Sequence, residues 1–547
     1  MNEREIHRSI DQFLFDAYSA LWSIALAIGR AFSWAWAALP GDWHPALKAL
    51  VLVLVVGVAL RLLRSSIASV RFILGWPFRQ VGILIMKSRS PFGRAGWAGL
   101  GDLARAGMTK RGGLFLGQWR SGVRSADLYR PGEGHLLTIG GSGAGKTTSV
   151  VIPALLEAQE GSFIVIDPKA QLAAMTGRHR ATKGAVLYVN PFADELAGQT
   201  GVKLPDSGFN PLSVLTKGYN LKDDAENLAR LLMVTNRQDS GSYWNDEGAG
   251  LLAVFMVWQV LREPKANRTL AFLWGMVREA PDAIEQRLMW MQGVKESRFL
   301  QAEATKLLGL IKVPAQWQGV ISKAQLATQR YAPDTPLGDH TARDGLDLAR
   351  LKSEDITVYL MVPTGRAKVA SPWLNLVMGA IGVAIGKPGP ARPVFMLIDE
   401  APALGYLPDL RNHLRESREA GLRAWIFSQT RAALADADLY GETGFADIMA
   451  LCETRTFFGI GDRTLAGEIS AMLGEKTEIN RSSRDGGGDS YATVGVPLMR
   501  PEEIIGMKKG RQLIMRTGMQ PISAQLVPYW TRANWSALVD PNPYRKT

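Results

Sequence analysis

The chain has 547 residues, 47% apolar and 21% charged, the balance of a globular protein with room for two or three domains. Its formal net charge of +12 favours a polyanionic partner, nucleic acid or an anionic membrane surface. A single cysteine, Cys452, excludes an intrachain disulfide, and no two of the six histidines sit at metal-ligand spacing, which argues against a zinc hydrolase.

The first ninety residues differ from the rest. Residues 17–39 are almost wholly apolar, broken by Arg30, and a second apolar run covers 46–63. Eighteen helical residues reach roughly 27 Å, enough to span a bilayer core if the bracketing Lys48 and Arg61 snorkel. Pro40-Gly41-Asp42-Trp43-His44-Pro45 reads as a tight turn between the runs. Arg61, Arg64, Arg71, Arg79, Lys87, Arg89 and Arg94 follow, whereas the turn carries almost no positive charge. The expectation is a transmembrane helical hairpin within 1–90, closed by a basic juxtamembrane segment, with both ends in the cytoplasm. Arg30 keeps open a first segment that lies in the interface instead.

Beyond residue 90 short apolar runs alternate with amphipathic stretches. Strands are expected at 135–139, 163–166, 186–189, 358–362, 394–398 and 425–427. This alternation predicts an α/β fold with a mainly parallel sheet covered by helices. No strand pattern interrupts residues 223–335, which read as an all-helical insertion rich in Leu, Ala, Met and Trp. The α/β parts are then 91–222 and 336–547. The Gly/Ser-rich stretch 481–490 reads as a mobile loop, and Lys508-Lys509-Gly510-Arg511 as a solvated turn before a strand.

The strand at 135–139 runs into Gly140-Gly141-Ser142-Gly143-Ala144-Gly145-Lys146-Thr147, and a helix is expected from Thr148. This is the strand, glycine-rich loop and helix of a phosphate cradle. Glycines let successive N–H groups turn inward onto phosphate oxygens, and the helix offers its positive end to the same anion. Lys146 is expected on the β- and γ-phosphates of ATP, and the Thr147 hydroxyl on Mg²⁺. The run Val394-Phe395-Met396-Leu397-Ile398 ends in Asp399-Glu400. A buried strand ending in acids carries them to the sheet's C-terminal edge, where ligands bind. Asp399 is expected to hold Mg²⁺ through water, and Glu400 to polarise the attacking water. One strand further, Gln429 can contact the γ-phosphate. Arg415, Arg418 and Arg423 are candidate fingers for a neighbouring subunit.

Several segments together resemble the type IV secretion system coupling proteins, the TraG/TraD-like conjugative ATPases. They are Phe92-Gly93-Arg94-Ala95-Gly96-Trp97-Ala98 with 112–117, Phe163-Ile164-Val165-Ile166-Asp167-Pro168-Lys169, Phe209-Asn210-Pro211-Leu212, Tyr243-Trp244, 358–363, Ser417-Arg418-Glu419-Ala420-Gly421, 470–474 and 513–522. Ala170-Gln171 stand where the family usually has Gly-Glu. The resemblance implies a RecA-like P-loop NTPase, a homo-hexamer at the bacterial inner membrane, with Arg418 as the preferred finger. It implies that ATP hydrolysis drives relaxase-bound single-stranded DNA, effector proteins or both into a type IV secretion channel, with the helical insertion recruiting the cargo. Two other readings stand beside it. One is a septal FtsK-like pump for double-stranded DNA, which usually carries a C-terminal winged-helix module; little sequence follows the core here. The other is an effector receptor in which ATP serves assembly only, against which the intact Lys146, Asp399 and Glu400 argue.

Overall fold

A computed structural model describes residues 92–545 except 234–242, 390–391 and 485–487, with scattered positions between 19 and 61. The two expected membrane spans fall largely outside the described residues. The chain divides into two compact units, residues 1–93 with 477–496, and residues 94–476 with 497–547.

The larger unit is built on an 11-stranded sheet. Strands β1 (Phe115–Ser121) and β2 (Arg124–Tyr129) form a hairpin. Seven strands then follow: β3 (His135–Gly140), β4 (Ser162–Ile166), β5 (Ala185–Val189), β6 (Ile356–Leu360), β7 (Val394–Ile398), β8 (Leu422–Ser428) and β9 (Cys452–Phe458). The strands β10 (Glu475–Arg484) and β11 (Gly488–Pro497) pair as a separate two-stranded sheet, and β12 (Arg511–Arg516) and β13 (Ile522–Gln525) return to the large one. The order across the large sheet is β2-β1-β13-β12-β9-β3-β8-β7-β4-β6-β5. From β9 to β5 neighbours run parallel; from β12 to β2 they run antiparallel.

The six expected strands are all present, β6 starting two residues early and β8 running from Leu422. β12 is the strand expected after the turn at 508–511, whereas β1, β2, β9 and β13 were not expected. The Gly/Ser-rich stretch, read as a loop, lies largely in β10 and β11: alternating Thr477, Ile479 and then Tyr491, Thr493 outweigh the glycines between them. Residues 508–510 form the expected turn into β12, with the Arg511 N–H donating to the Lys508 carbonyl at 3.1 Å.

Period-two alternation divides the core. Ile164, Ile166, Met396, Ile398 and Ile426 face one side of the parallel strands; Phe163, Val165, Phe395, Leu397, Trp425 and Phe427 face the other. The second side is covered by helices at Ile152–Glu157 and Gln171–Ala181, which supply Leu155, Leu156, Leu172 and Met175. The first side continues into the helices between β5 and β6. No strand occurs among the described residues there. Helix α1 (Leu221–Met233) buries Leu221, Ala225, Leu228, Leu231 and Leu232, the spacing of one helical face. Helix α2 (Tyr243–Arg262) is buried nearly all round from Gly248 to Val260, so its neighbours surround it. Starts are set locally: Pro281 and Pro314 occupy first turns, and the Thr269 and Ser297 hydroxyls accept from Phe272 and Leu300 N–H at 3.1 and 3.2 Å. Helix α3 (Ala367–Gly386) packs on both α1 and the helix α4 (Pro408–Glu416). Among the described residues only Val369–Gly386 is long and apolar enough to cross a membrane, and 78% of it is buried, as expected of a core helix.

Candidate functional site

The expected phosphate loop joins β3 to a helix, and its glycines answer to distinct constraints. A Cβ at Gly141 would lie 2.1 Å from the Gly459 carbonyl oxygen, so the loop presses directly on the end of β9. Gly143 and Gly145 take φ of 67° and 98°, the left-handed region that side chains avoid. The Gly141 N–H donates to the Phe458 carbonyl at 3.1 Å, and the Ser149 N–H to the Gly145 carbonyl at 2.8 Å. The helix opens with a π-turn over Thr147–Val151 before becoming α-helical at Ile152. Such turns recur at functional sites because they re-aim the first side chains.

The strand register assembles the rest. Strand β8 lies between β3 and β7, with Ile139 opposite Ser428 and Ile398 opposite Ile426. Lys146, Glu400 and Gln429 therefore emerge at one edge. The Lys146 Nζ is 2.8 Å from Glu400 Oε2, across 254 residues of sequence. The Gln429 Nε2 donates to the same oxygen at 2.7 Å. Glu400 sits at φ 65°, ψ 62°, a left-handed conformation that costs a non-glycine residue energy and is tolerated where surrounding contacts fix it.

Asp399 is half-buried beside this trio, and its fully buried Oδ1 has no hydrogen-bond partner. Burial pushes its carboxyl up to about 6; Lys146 opposes that rise and Glu400 adds to it. A buried acceptor without a donor is costly unless a cation takes it. Among the described residues no cluster of three or more His, Cys, Asp or Glu forms a ready metal cage. A single buried carboxylate oxygen without a donor suits Mg²⁺, which needs only one or two protein carboxylates and keeps several waters. The residues present thus fit the ion.

One strand further, Asp167 ends β4 as Asp399 ends β7, since Ile166 and Ile398 are in register. Its buried carboxylate accepts N–H bonds from Lys169 at 3.3 Å, Gln171 at 3.2 Å and Ala173 at 2.9 Å. Burial nevertheless pushes it up to about 7; the Ala173 and Lys169 N–H groups resist the rise and Asp399 adds to it. No role was assigned to Asp167 from sequence, although an apolar run ending in an acid, as at 394–399, was the signal. Ala170, at φ 52°, occupies the left-handed region in this turn. Replacing it with Gly is expected to raise stability by ~0.5 kcal/mol, read from denaturant melts, since an L-residue there is strained.

Arg418 is exposed and lies in the turn before β8, at the opposite end of that strand from Gln429. Seven strand residues separate the two by on the order of 20 Å. Its charge bears on Arg130 and His135 at the far edge of the sheet. It is not brought to the phosphate loop of its own chain. The other two finger candidates are held internally. Arg415 pairs with Asp447 at 2.6 Å, and Arg423 lies 3.7 Å from Glu133 with its guanidinium over the Phe395 ring. A cavity of about 660 Å³ lies between α1, α3 and α4, lined among others by Asp224, Lys387, Asp409, His413 and Ser417, with no residue of the phosphate loop in its wall.

Residues 96–544 match the family described as Type IV secretory system Conjugative DNA transfer. The conjugal transfer protein TraG of Agrobacterium fabrum is 24% identical over 505 residues, covering 84% of this chain and 73% of that protein. The type IV secretion system-coupling protein VirD4 of Bartonella quintana is 23% identical over 448 residues; the match covers 76% of this chain and 65% of the relative. Among solved structures, the bacterial conjugative coupling protein TrwBdeltaN70 shares the fold with a TM-score of 0.55 at 16% identity, over 80% of this chain and 94% of that one. The plasmid coupling protein TrwB in complex with ADP and Mg2+ superposes with the same TM-score of 0.55, identity and coverage. With its large parallel sheet, its phosphate loop and this match, the chain belongs to the type IV secretion coupling protein family.

Proposed function

We propose that the protein is an inner-membrane coupling ATPase that drives conjugative DNA transfer through a type IV secretion channel. The observation that carries this reading is the Lys146–Glu400–Gln429 chain of bonds beside the unpartnered Asp399. ATP would lie on the N–H groups of Gly140–Thr148, its triphosphate drawing Lys146 away from Glu400. Glu400 then keeps one bond, from Gln429, and gains the freedom to accept a proton from water. Attack on the γ-phosphorus and departure of ADP would follow, with Lys146 neutralising charge on the γ-phosphoryl. Asp399 and the Thr147 hydroxyl would hold Mg²⁺, which when bound would supply positive charge to offset that of the phosphates. Loss of the γ-phosphate returns Lys146 to Glu400, so the pair reports the nucleotide state.

The position of Arg418 supports an assembly of copies. It is too far from its own phosphate loop, and a neighbour in a closed ring, a homo-hexamer, would receive it. The hairpin within 1–90 would anchor the ring as a multi-pass membrane protein with its soluble part in the cytoplasm. The helical residues 223–335 would receive the cargo, relaxase-bound single-stranded DNA, effector proteins or both. Lysine and arginine facing the ring's channel would hold a polyanion through salt-sensitive contacts.

The test is ATP hydrolysis by the full chain in bilayers as single-stranded DNA is added, with crosslinkers at positions in 223–329. A DNA-dependent rise in hydrolysis and crosslinks from that segment are expected. Hydrolysis that responds only to double-stranded DNA would favour the septal-pump reading and overturn this one.

A further inference from the structure

The turn Asp167-Pro168-Lys169-Ala170 takes no part in the mechanism above, yet it is fixed beside it. The Lys169 N–H in the turn, and the Gln171 and Ala173 N–H groups of the helix that follows, all donate to the Asp167 carboxylate. The Ala170 N–H donates to the Asp167 carbonyl at 3.1 Å, and the Tyr544 hydroxyl donates to the Lys169 carbonyl at 2.8 Å. The backbone around Lys169 is therefore determined from both sides. Its ammonium is exposed and has no hydrogen bond or ion pair among the described residues.

The neighbouring cations are committed. Lys146 is paired with Glu400 at 2.8 Å and Arg366 with Glu195 at 2.7 Å. Lys169 stands three residues past the end of β4 at Ile166, and the neighbouring β7 ends at Ile398, just before Asp399. Its charge reaches Asp399 and opposes the upward push of burial on that carboxyl. A cavity of about 440 Å³ opens beside it, lined by Lys169, Gln171, Gln199, Thr364 and Tyr544 among others. A rigid backbone carrying an unpaired cation at the C-terminal edge of a parallel sheet is placed for an anion.

We propose that Lys169 is a further residue of the nucleotide site, its ammonium contacting the γ-phosphoryl oxygens of bound ATP from the side of β4, opposite Lys146. It donates hydrogen bonds and neutralises charge; no proton leaves it and no bond to it forms. Two cations, one from each side, then flank the group on which charge develops. ADP lacks that group, so Lys169 separates the ATP state from the ADP state. The proposal rests on the reading of Gly140–Thr148 as an ATP site.

The experiment compares full-length wild type with Lys169→Met and Lys169→Arg. It measures affinity for fluorescent ADP and for a fluorescent non-hydrolysable ATP analogue, together with kcat and KM for ATP. Lys169→Met is expected to keep ADP affinity within about twofold and to lose on the order of a hundredfold in kcat, as for removal of one donor from a charge-stabilising site. Lys169→Arg is expected to recover most of that loss. An unchanged kcat in Lys169→Met overturns the proposal. So does an equal loss of ADP and analogue affinity, which assigns Lys169 to holding the fold. A wild-type protein that binds neither nucleotide would remove the ATP-site reading itself, and this proposal with it.

Discussion

Glu400→Gln is expected to lower kcat for ATP by roughly a thousandfold while leaving the nucleotide bound, the effect of removing a general base without removing binding groups. The amide fills the same volume and can still accept the hydrogen bond from Gln429. It cannot take a proton from water. It also weakens the resting contact with Lys146, because a neutral acceptor replaces a charged one. Nucleotide affinity should therefore hold or rise, since phosphate competes less for Lys146. Stopped-flow binding of a fluorescent ATP analogue, set beside steady-state hydrolysis, separates the two effects. A variant that hydrolyses ATP at the wild-type rate would remove Glu400 from the chemistry.

Lys146→Ala is expected to remove both nucleotide binding and turnover. The lysine is the cation of the loop, with a side chain only 11% exposed, and no other Lys or Arg lies in Gly140–Thr148. Truncation leaves Glu400 with its Gln429 bond and a 24% exposed side chain, so water can solvate the freed oxygen. The fold should survive, and urea melts of the two proteins should nearly coincide. Membrane insertion should also be unaffected, because the expected anchor lies within 1–90. An alanine variant that binds the ATP analogue as wild type does would contradict the assignment of the loop.

These effects trace back to features of unequal visibility in the sequence. The parallel strands were legible because they are buried on both faces and read as apolar runs, as at Phe395-Met396-Leu397-Ile398. β9 was not, because Glu453, Thr454, Arg455 and Thr456 interrupt its apolar residues, yet it supports the phosphate loop through Phe458 and Gly459. The antiparallel strands β1, β2 and β13 mix polar and apolar residues on a sheet extension, which weakens the same signal. Lys146, Asp399, Glu400 and Gln429, the residues of the proposed site, were named from motifs, since backbone chemistry at a phosphate requires glycine, lysine and a strand-end acid in order. Their mutual bonds could not be. That Lys146 pairs with Glu400 follows from β8 lying between β3 and β7, which is a property of sheet order rather than of local sequence. The same order sets Asp167 beside Asp399 and leaves Arg418 at the far edge.

ATP hydrolysis at this site is proposed to power transfer. The most direct measurement is DNA transfer between cells in which this chain is the only coupling protein, comparing wild type with Lys146→Ala and Glu400→Gln at equal membrane levels. Transfer by wild type and its loss in both variants is the expected result. Transfer by either variant at the wild-type frequency would contradict the account.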